Sequence, residues 1–243
     1  MRITVCPGAT AASAHVVRRI AAALRRDPSL VLSLPTGRTP IEVYDGLARL
    51  VARGRLDFSR AVTFNLDEFV GLALDDPRSY RAFMGRHLFD RVGLPRRRAH
   101  VLDGAARDLA GECARFERAI EAAGGIGLSL VGIGLNGHVG FNEPGPGLVA
   151  ATHRVKLTSL TRRANAKPFG GDPRRVPHEA LTMGIGTILG ARRIVLLATG
   201  RSKARVVPRA IAGPVTTWLP ASFLQLHADV EFVLDRDAAS RLG

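Results

Sequence analysis

Short runs of apolar residues alternate along the chain with longer stretches in which apolar residues recur at helical spacing. The short runs are typical of buried strands and cover residues 30–34, 61–64, 128–133, 194–198 and 230–234. The longer stretches predict helices over residues 11–26, 41–54, 79–92, 108–123 and 202–212. This alternation predicts an α/β fold with a doubly wound, mostly parallel sheet. Because such sheets bind ligands beyond the carboxyl ends of their strands, functional residues are expected just after strands.

One segment, residues 157–177, departs from this alternation. It is polar, contains Gly and Pro, and has little sustained apolar periodicity. Long irregular segments of compact domains are often functional, so we expect a lid or a mobile loop here. An ordinary surface excursion would give the same pattern. The length of the chain predicts one domain over residues 1–243, with this segment as its candidate lid.

Composition narrows the class of protein. With 46% hydrophobic residues in 243, the chain can bury a full core and is not of the disordered class. Its two cysteines, Cys6 and Cys113, cannot form a disulfide framework, which suits a reducing compartment. No apolar run reaches the roughly 18 residues of a membrane span, and the N-terminus lacks the apolar stretch of a signal peptide. We therefore expect a cytoplasmic protein with no membrane partner.

The chain is strongly basic, with 35 Lys and Arg against 21 Asp and Glu. The excess is mostly arginine and is spread along the sequence, and only 5% of residues are aromatic, which leaves little for bases to stack on. The pattern therefore predicts no nucleic-acid partner. A basic surface would instead concentrate an anionic small molecule.

The first candidate ligand-binding segment is the loop of Thr36, Gly37, Arg38 and Thr39, which follows a predicted strand. Thr39 is a favourable N-cap for the next helix, and Pro40 suits its first position. A glycine-containing loop before a helix presents free N–H groups to an anion such as a phosphate. A well-capped helix without a ligand would look the same.

The second and third strand ends carry candidate proton-transfer groups. Asp67 and Glu68 follow an apolar strand, and adjacent residues of an extended chain point to opposite sides, so one of them can face the crevice as a general base. The alternative is an acid that caps a helix or stabilises a turn and has no catalytic role. His138 lies among four glycines after another strand, and Glu143 is placed to orient its ring. No metal site is predicted, because the chain has neither HExxH nor a CxxC pair.

At these residues the sequence resembles the glucosamine-6-phosphate deaminase (isomerase) family. The matching motifs are LPTGRTP at 34–40, FNLDEFVGL at 64–72, GHVGFNEPG at 137–145, VPHEALTMGIGTIL at 176–189, the turn around Lys203, and PASFLQLH at 220–227. The resemblance implies a modified Rossmann-like fold and a cofactor-free reaction that turns glucosamine 6-phosphate and water into fructose 6-phosphate and ammonia. This is an aldose–ketose isomerisation coupled to a hydrolytic deamination in amino-sugar metabolism, within N-acetylglucosamine catabolism.

The resemblance also implies roles for individual residues. Asp67 would move the C2 proton, and His138, oriented by Glu143, would open the sugar ring. The phosphate would be held by Lys203 and by the loop of residues 36–39. Three positions depart from the common pattern: Asn136 replaces an aspartate that pairs with the histidine, Arg38 replaces a small residue, and Lys167 replaces a lid arginine. We count Asn136 among the catalytic residues and Lys167 among the phosphate contacts.

Other functions fit parts of the same pattern. A 6-phosphogluconolactonase-like hydrolase or another sugar-phosphate isomerase would share the fold, and a sugar-phosphate-sensing binding domain is the non-enzymatic alternative. In the allosteric branch of the family, a pair of basic residues binds an effector. The corresponding positions here are His153 and Val155, which do not form such a pair, so the resemblance predicts a non-allosteric enzyme. The sequence leaves the oligomeric state open, with a homo-oligomer among the options.

Overall fold

The computed structural model describes residues 1–242. Within them the strands are β1 (Arg2–Cys6), β2 (Val31–Leu34), β3 (Val62–Asn65), β4 (Asp67–Phe69), β5 (Ala99–His100), β6 (Leu128–Val131), β7 (His153–Lys156), β8 (Glu179–Thr182), β9 (Ile194–Ala198) and β10 (Val230–Asp235). The α-helices are α1 (Ala9–Arg26), α2 (Ile41–Ala52), α3 (Tyr80–Met84), α4 (Asp90–Val92), α5 (Leu109–Ala122), α6 (Ser159–Ala164), α7 (Ile185–Leu189) and α8 (Val207–Ala212).

Seven strands form a parallel sheet in the order β1-β10-β9-β6-β2-β3-β5. The predicted α/β fold with a mostly parallel, doubly wound sheet is therefore confirmed, and all five predicted strands lie in this sheet. The chain runs from β2 outward through β3 and β5, then returns to β6 and continues in the opposite direction. β2 and β6 are neighbours at this reversal, and the loops that leave them diverge to open a crevice at the carboxyl edge of the sheet.

The sheet is buried on both faces, which explains why its strands are apolar at successive positions. In β9, Ile194 and Leu196 pack into the cluster beneath α5 and α8, whereas Val195 and Leu197 pack into the cluster beneath α1 and α2. The alternation follows from the two-residue period of a strand. Among residues 1–242, no helix is both long enough and apolar enough to cross a membrane.

Two predicted helices are interrupted. The stretch 79–92 begins with the Ser79 side chain, which accepts a hydrogen bond from the amide of Ala82 as an N-cap, and continues through α3, a π-helical turn (Gly85–Phe89) and α4. It ends at Gly93, whose φ of 63° is left-handed. The stretch 202–212 divides into a 3₁₀ turn (Arg201–Lys203) and α8, which starts with Pro208 in its first turn because proline lacks an N–H to continue an earlier helix.

A second sheet, which the apolar pattern of the sequence does not predict, is antiparallel and has the order β4-β8-β7. Its strands have only three or four residues, too few for a clear alternation. The expectation of an irregular segment at 157–177 needs correction, because the segment contains α6 and two 3₁₀ turns. Phe169 and Val176 of this segment are buried with Phe69 and Phe141. Local periodicity is weak here because the order comes from tertiary packing. A role as a lid remains a prediction.

Candidate active site

A cleft of about 600 Å³ opens at the carboxyl edge of the parallel sheet. The loops that follow β2, β3 and β6 line it, together with α6 and the turn that follows β9. It lies where the order of the strands reverses, as the fold class predicts. Eight of the ten predicted site residues line this cleft: Thr36, Gly37, Arg38, Thr39, Asp67, Asn136, His138 and Lys203.

The loop after β2 presents free backbone donors to the cleft. Within the described part of the chain, the amides of residues 36–39 donate no hydrogen bond to the protein. Gly37 has a φ of 99°, a left-handed conformation that glycine adopts without strain. Below the loop, the buried Tyr44 hydroxyl donates a hydrogen bond to the carbonyl of Pro35 and anchors the first residue after β2. The predicted N-cap is wrong, because α2 begins at Ile41 after Pro40 without a side-chain cap from Thr39.

Two cationic side chains face the same part of the cleft. Lys203 Nζ donates a hydrogen bond of 2.6 Å to the carbonyl of Ile133, two residues after β6. Burial, together with the positive charge of Arg38, lowers the pKa of Lys203 to about 8. The turn before Lys203 is fixed by Asp235, whose carboxylate accepts the amide of Gly200 at 2.9 Å and 3.0 Å. The arrangement can bind an anionic group, and an anion would favour the charged form of Lys203.

The neighbouring acids Asp67 and Glu68 point in different directions, as the sequence predicts. Glu68 accepts hydrogen bonds from the amides of Phe69, Tyr80 and Arg81 and so anchors the start of α3. Asp67 lines the cleft, although only 6% of its surface is exposed, and its Oδ1 has no partner in residues 1–242. Burial, and to a lesser degree the charge of Glu68, raises the pKa of Asp67 to about 8. A carboxyl group with this pKa can exchange a proton near neutral pH.

Glycines allow the loop after β6 to fold closely around the histidine. A Cβ atom at Gly134 would lie 2.4 Å from Nε2 of His138, so only glycine fits beneath the ring. The loop closes through hydrogen bonds from the amide of Gly134 to the carbonyl of His138 and from the amide of Gly137 to the carbonyl of Gly134. Gly140, with a φ of 60°, then passes close to Asp67, since a Cβ there would lie 3.9 Å from Oδ2. The glycines thus bring the imidazole and the carboxyl group into one cleft.

Glu143 lies behind the histidine ring. Its Oε2 is 3.6 Å from Nδ1 of His138 and accepts a hydrogen bond of 2.7 Å from Nδ2 of Asn136. Burial disfavours ionisation of Glu143, but the His138 ring and the hydrogen bonds from its polar neighbours outweigh burial and lower its pKa to about 2. Glu143 is therefore an anion that can stabilise positive charge on the imidazole.

Asn136 contacts Glu143 and the backbone of His138. Its side chain makes no hydrogen bond to the histidine ring, where the aspartate of the common pattern pairs with the histidine. Its Oδ1 accepts the backbone amide of His138 at 3.2 Å, and its Nδ2 donates to Glu143. A neutral amide suits this position because it serves one donor and one acceptor at once.

Lys167 lies apart from the other predicted residues. It starts a 3₁₀ turn (Lys167–Phe169), its side chain is exposed, and it does not line the cleft. The same segment instead contributes Thr161 and Asn165, and Asn165 Oδ1 accepts a hydrogen bond of 3.1 Å from the Tyr80 hydroxyl, which also lines the cleft. Sequence reasoning missed these polar residues. The available signal was Thr158, a favourable N-cap three residues before Thr161.

No group of three or more His, Cys, Asp or Glu side chains in residues 1–242 is arranged to hold a metal ion. The cleft offers an imidazole, the carboxyl group of Asp67 and an anion-binding loop, and the carboxylate of Glu143 lies behind the imidazole. This set can transfer protons to and from a bound anionic substrate.

The comparisons with known proteins agree with this geometry. Residues 8–233 match the family model of glucosamine-6-phosphate isomerases/6-phosphogluconolactonase. The chain belongs to this family. A glucosamine-6-phosphate deaminase of Rhodopirellula baltica is 49% identical over 242 residues, which make up 100% of this chain and 96% of that protein. One of Clostridium perfringens is 41% identical, over 100% of both chains. The resemblance inferred from the motifs is confirmed.

Solved structures separate the two branches of the family. The structure of a glucosamine-6-phosphate deaminase described as monomeric has a TM-score of 0.95 and 41% identity, covering 99% of this chain and 100% of that one. A 6-phosphogluconolactonase from Thermotoga maritima has a TM-score of 0.75 and 21% identity, covering 96% and 99% of the two chains. The second likeness shows a shared fold.

Proposed function

We propose that this protein is a glucosamine-6-phosphate deaminase, which converts glucosamine 6-phosphate and water to fructose 6-phosphate and ammonia. The observation that carries the proposal is the presence of Asp67 and His138 in one cleft, each with the environment that its step requires. Full-length relatives of that name support it. The chemistry consists of proton transfers and one hydrolysis, which side chains and water can perform.

Ring opening is assigned to His138. One proton leaves O1 of the sugar and one reaches the ring oxygen as the C1–O5 bond breaks. Since Nδ1 faces Glu143, the nitrogen left for the substrate is Nε2. The anionic Glu143 stabilises the imidazolium between the two transfers, as a carboxylate does in other acid–base pairs.

Enolisation is assigned to Asp67. The carboxylate removes the proton from C2 of the open-chain aldehyde, while O1 gains a proton and the ammonium nitrogen loses one. The same proton is then delivered from Asp67 to C1, which leaves a hydroxyl at C1 and a protonated imine at C2. In the free protein the raised pKa keeps Asp67 mostly protonated at pH 7, with about a tenth ionised. The ammonium group that the substrate carries at C2 would lower the pKa of Asp67, because a nearby opposite charge favours the anion. The substrate itself therefore converts the acid into the base.

Deamination completes the reaction. Water adds to the C2 imine, and the C2–N bond breaks as a proton is transferred to nitrogen, so that a ketone and ammonia remain. This water-consuming step is the basis for proposing a hydrolase as well as an isomerase. We propose that the protein acts in N-acetylglucosamine catabolism and in the cytoplasm. We leave a homo-oligomer as an option beside the monomer.

The loop of residues 36–39 is proposed to bind the phosphate group of the substrate, with Lys203 and Arg38 as the cations. Free amides before a helix and two positive charges suit a dianion. We keep Lys167 as a more distant phosphate contact that would require movement of its 3₁₀ turn. Lysine there keeps the charge of an arginine but lacks its two-pronged hydrogen bonding.

The test is a coupled measurement of ammonia and fructose 6-phosphate from glucosamine 6-phosphate. The wild type should form both in equal amounts, and Asp67→Asn should lower kcat by about 10³-fold, within the usual range for loss of a general base. Asp108→Asn makes the same chemical change at the N-cap of α5, away from the cleft, and should leave the rate unchanged.

Two results would overturn the proposal. A wild type that releases no ammonia but hydrolyses 6-phosphogluconolactone would assign the protein to the other branch of its family. Deamination that survives in Asp67→Asn would move the base to another residue.

A further inference from the structure

The lid segment reaches the catalytic pair through two threonines. Thr158 is the N-cap of α6, and its side chain accepts the amide of Thr161 at 3.2 Å. The Thr158 hydroxyl and backbone amide both lie 3.2 Å from Oε1 of Glu143. The Thr161 hydroxyl lies 3.4 Å from Nδ1 of His138 and 3.1 Å from the Thr158 hydroxyl. The N-cap and first turn of one short helix therefore contact both His138 and Glu143, which we call the catalytic pair.

The four groups have one consistent direction of donation. Thr158 has a single hydroxyl proton, and the carboxylate of Glu143 is the strongest acceptor in its reach. The Thr161 hydroxyl is then the donor to Thr158, which leaves its oxygen to accept from His138. Nδ1 of His138 becomes the donor, and its Nε2 is left unprotonated toward the cleft. The chain ends on a carboxylate whose pKa is lowered to about 2, so the acceptor stays charged.

We propose that Thr161 and Thr158 form a hydrogen-bond chain that holds the His138 ring in the tautomer needed for ring opening and makes that geometry depend on the position of α6. The proposal rests on the deaminase function and deepens it. The direct contact between Nδ1 and Glu143 is 3.6 Å long, and the route through the hydroxyls adds a second connection with steps of 3.4 Å, 3.1 Å and 3.2 Å. Thr158 and Thr161 are positioning residues, because they act on the reaction through His138 and Glu143.

The packing of the segment explains how this contact is kept in place. Thr161 is 1% exposed, and Phe169, further along the segment, is buried against Phe69. The Arg78 guanidinium lies over the Phe169 ring, 5.4 Å from its centroid. Displacement of α6 would break the hydrogen bonds to His138 and to Glu143 together. A catalytic pair that is complete only when the segment is in place would react only with enclosed substrate.

The test compares Thr161→Val, which removes the hydroxyl and keeps the shape, with Thr161→Ser, which restores the hydroxyl. Thr161→Val should lower kcat about tenfold, as expected for a partner that orients a catalytic group, with little change in KM. Thr161→Ser should recover most of the rate. Thr187→Val is the matched control, because it removes a threonine–glutamate hydrogen bond of 2.8 Å to Glu117, outside the cleft lining, and should change neither constant.

A second measurement is independent of activity. The ¹⁵N shifts of the His138 imidazole, in the free protein, should report the Nδ1–H tautomer in the wild type and a mixture of tautomers in Thr161→Val. A wild-type ring protonated at Nε2 would overturn the proposal without any variant. So would a Thr161→Val protein with the wild-type tautomer and kcat, or a Thr161→Ser protein as slow as Thr161→Val. If the wild type shows the expected tautomer but deaminates nothing, the hydrogen-bond chain stands and the proposed function fails.

Discussion

Two carboxyl groups of the candidate site, one lining the cleft and one behind the histidine ring, have opposite environments. Asp67 is buried with an unpartnered oxygen, and its pKa rises to about 8. Glu143 is half-buried, but it accepts hydrogen bonds from Asn136 and Thr158 and faces His138, and its pKa falls to about 2. Burial acts on both in the same direction. The difference comes from the number of donors that the fold supplies to each.

The comparison assigns each acid its task. A group that must take up and give back a proton needs a pKa near the working pH, whereas a group that stabilises a cation must stay ionised. The strand β4 leaves Asp67 without donors in residues 1–242, while the glycine loop and α6 surround Glu143 with them. The division of roles between base and orienting anion follows from these local structures.

After the loss of the base in Asp67→Asn, the largest expected effect comes from removing the charge of the orienting acid. Glu143→Gln should lower kcat about 100-fold, because the imidazolium loses its counter-charge and the ring loses its orientation. Asn136→Ala should lower kcat about tenfold, since Asn136 acts through Glu143 and the backbone of His138. Steady-state kinetics at pH 7.5 would measure both. Equal losses in the two variants would contradict the assignment of the charge to Glu143.

The pH dependence of kcat/KM tests the other acid. Asp67 must be ionised to act, and its pKa is about 8, so kcat/KM should rise about tenfold per pH unit below pH 8. Lys203, also with a pKa of about 8, must be charged to bind phosphate, so kcat/KM should fall above that pH. The profile should have its maximum near pH 8.

Lysine-to-arginine substitution separates the two limbs of this profile. Lys203→Arg keeps its charge through the whole range and should remove the alkaline fall while leaving the rise intact. An alkaline fall that persists unchanged in Lys203→Arg would assign it to another group. A flat profile between pH 6 and 8 in the wild type would contradict the raised pKa of Asp67.

Stability should respond to the two acids with opposite sign. The pKa of Asp67 is higher in the folded state than its ordinary 3.8, so its ionisation costs stability progressively from about pH 4 to pH 8. Asp67→Asn should therefore raise the free energy of unfolding by about 1–3 kcal/mol at pH 8, and by less at pH 5. Glu143 has the reverse shift, and its stabilisation is present above pH 4.5 and lost as the pH falls toward 2. Glu143→Gln should lower the free energy of unfolding by a similar amount at pH 8.

Urea unfolding of both variants at pH 5 and pH 8 would measure these changes. Asp108→Asn, which removes an exposed N-cap carboxylate away from the cleft, is the control. Destabilisation of Asp67→Asn at pH 8 would show that its carboxyl group has hydrogen-bond partners in solution, and the contrast with Glu143 would fail.

Sequence could predict the parallel sheet and much of the site for physical reasons. Doubly buried strands such as β9 are apolar at every position, and the residues that follow them gather at one edge of the sheet. The partners of these residues were not predictable. Glu143 and Thr158 are 15 residues apart, and they meet because the weakly patterned segment 157–177 packs through Phe169. Similarly, the hydrogen bond that Asn136 Oδ1 accepts from the backbone amide of His138 depends on a loop conformation that residue identity alone does not specify.

The smallest expected effect concerns the phosphate end and would sharpen the assignment of both limbs of the pH profile. Arg38 is exposed at the mouth of the cleft, and its charge contributes to the lowered pKa of Lys203. Arg38→Gly should raise KM severalfold at low salt, with less effect at high salt because solvent ions screen an exposed charge. The same variant should also move the alkaline fall of kcat/KM to higher pH, since Lys203 would keep its proton to a higher pH, while the rise of kcat/KM that belongs to Asp67 stays in place.

Arg49→Gly, at an exposed arginine on α2 that does not line the cleft, is the control. An unchanged KM together with an unmoved alkaline fall would show that Arg38 points to solvent, and Lys203 with the free amides of the loop would then be left to hold the phosphate.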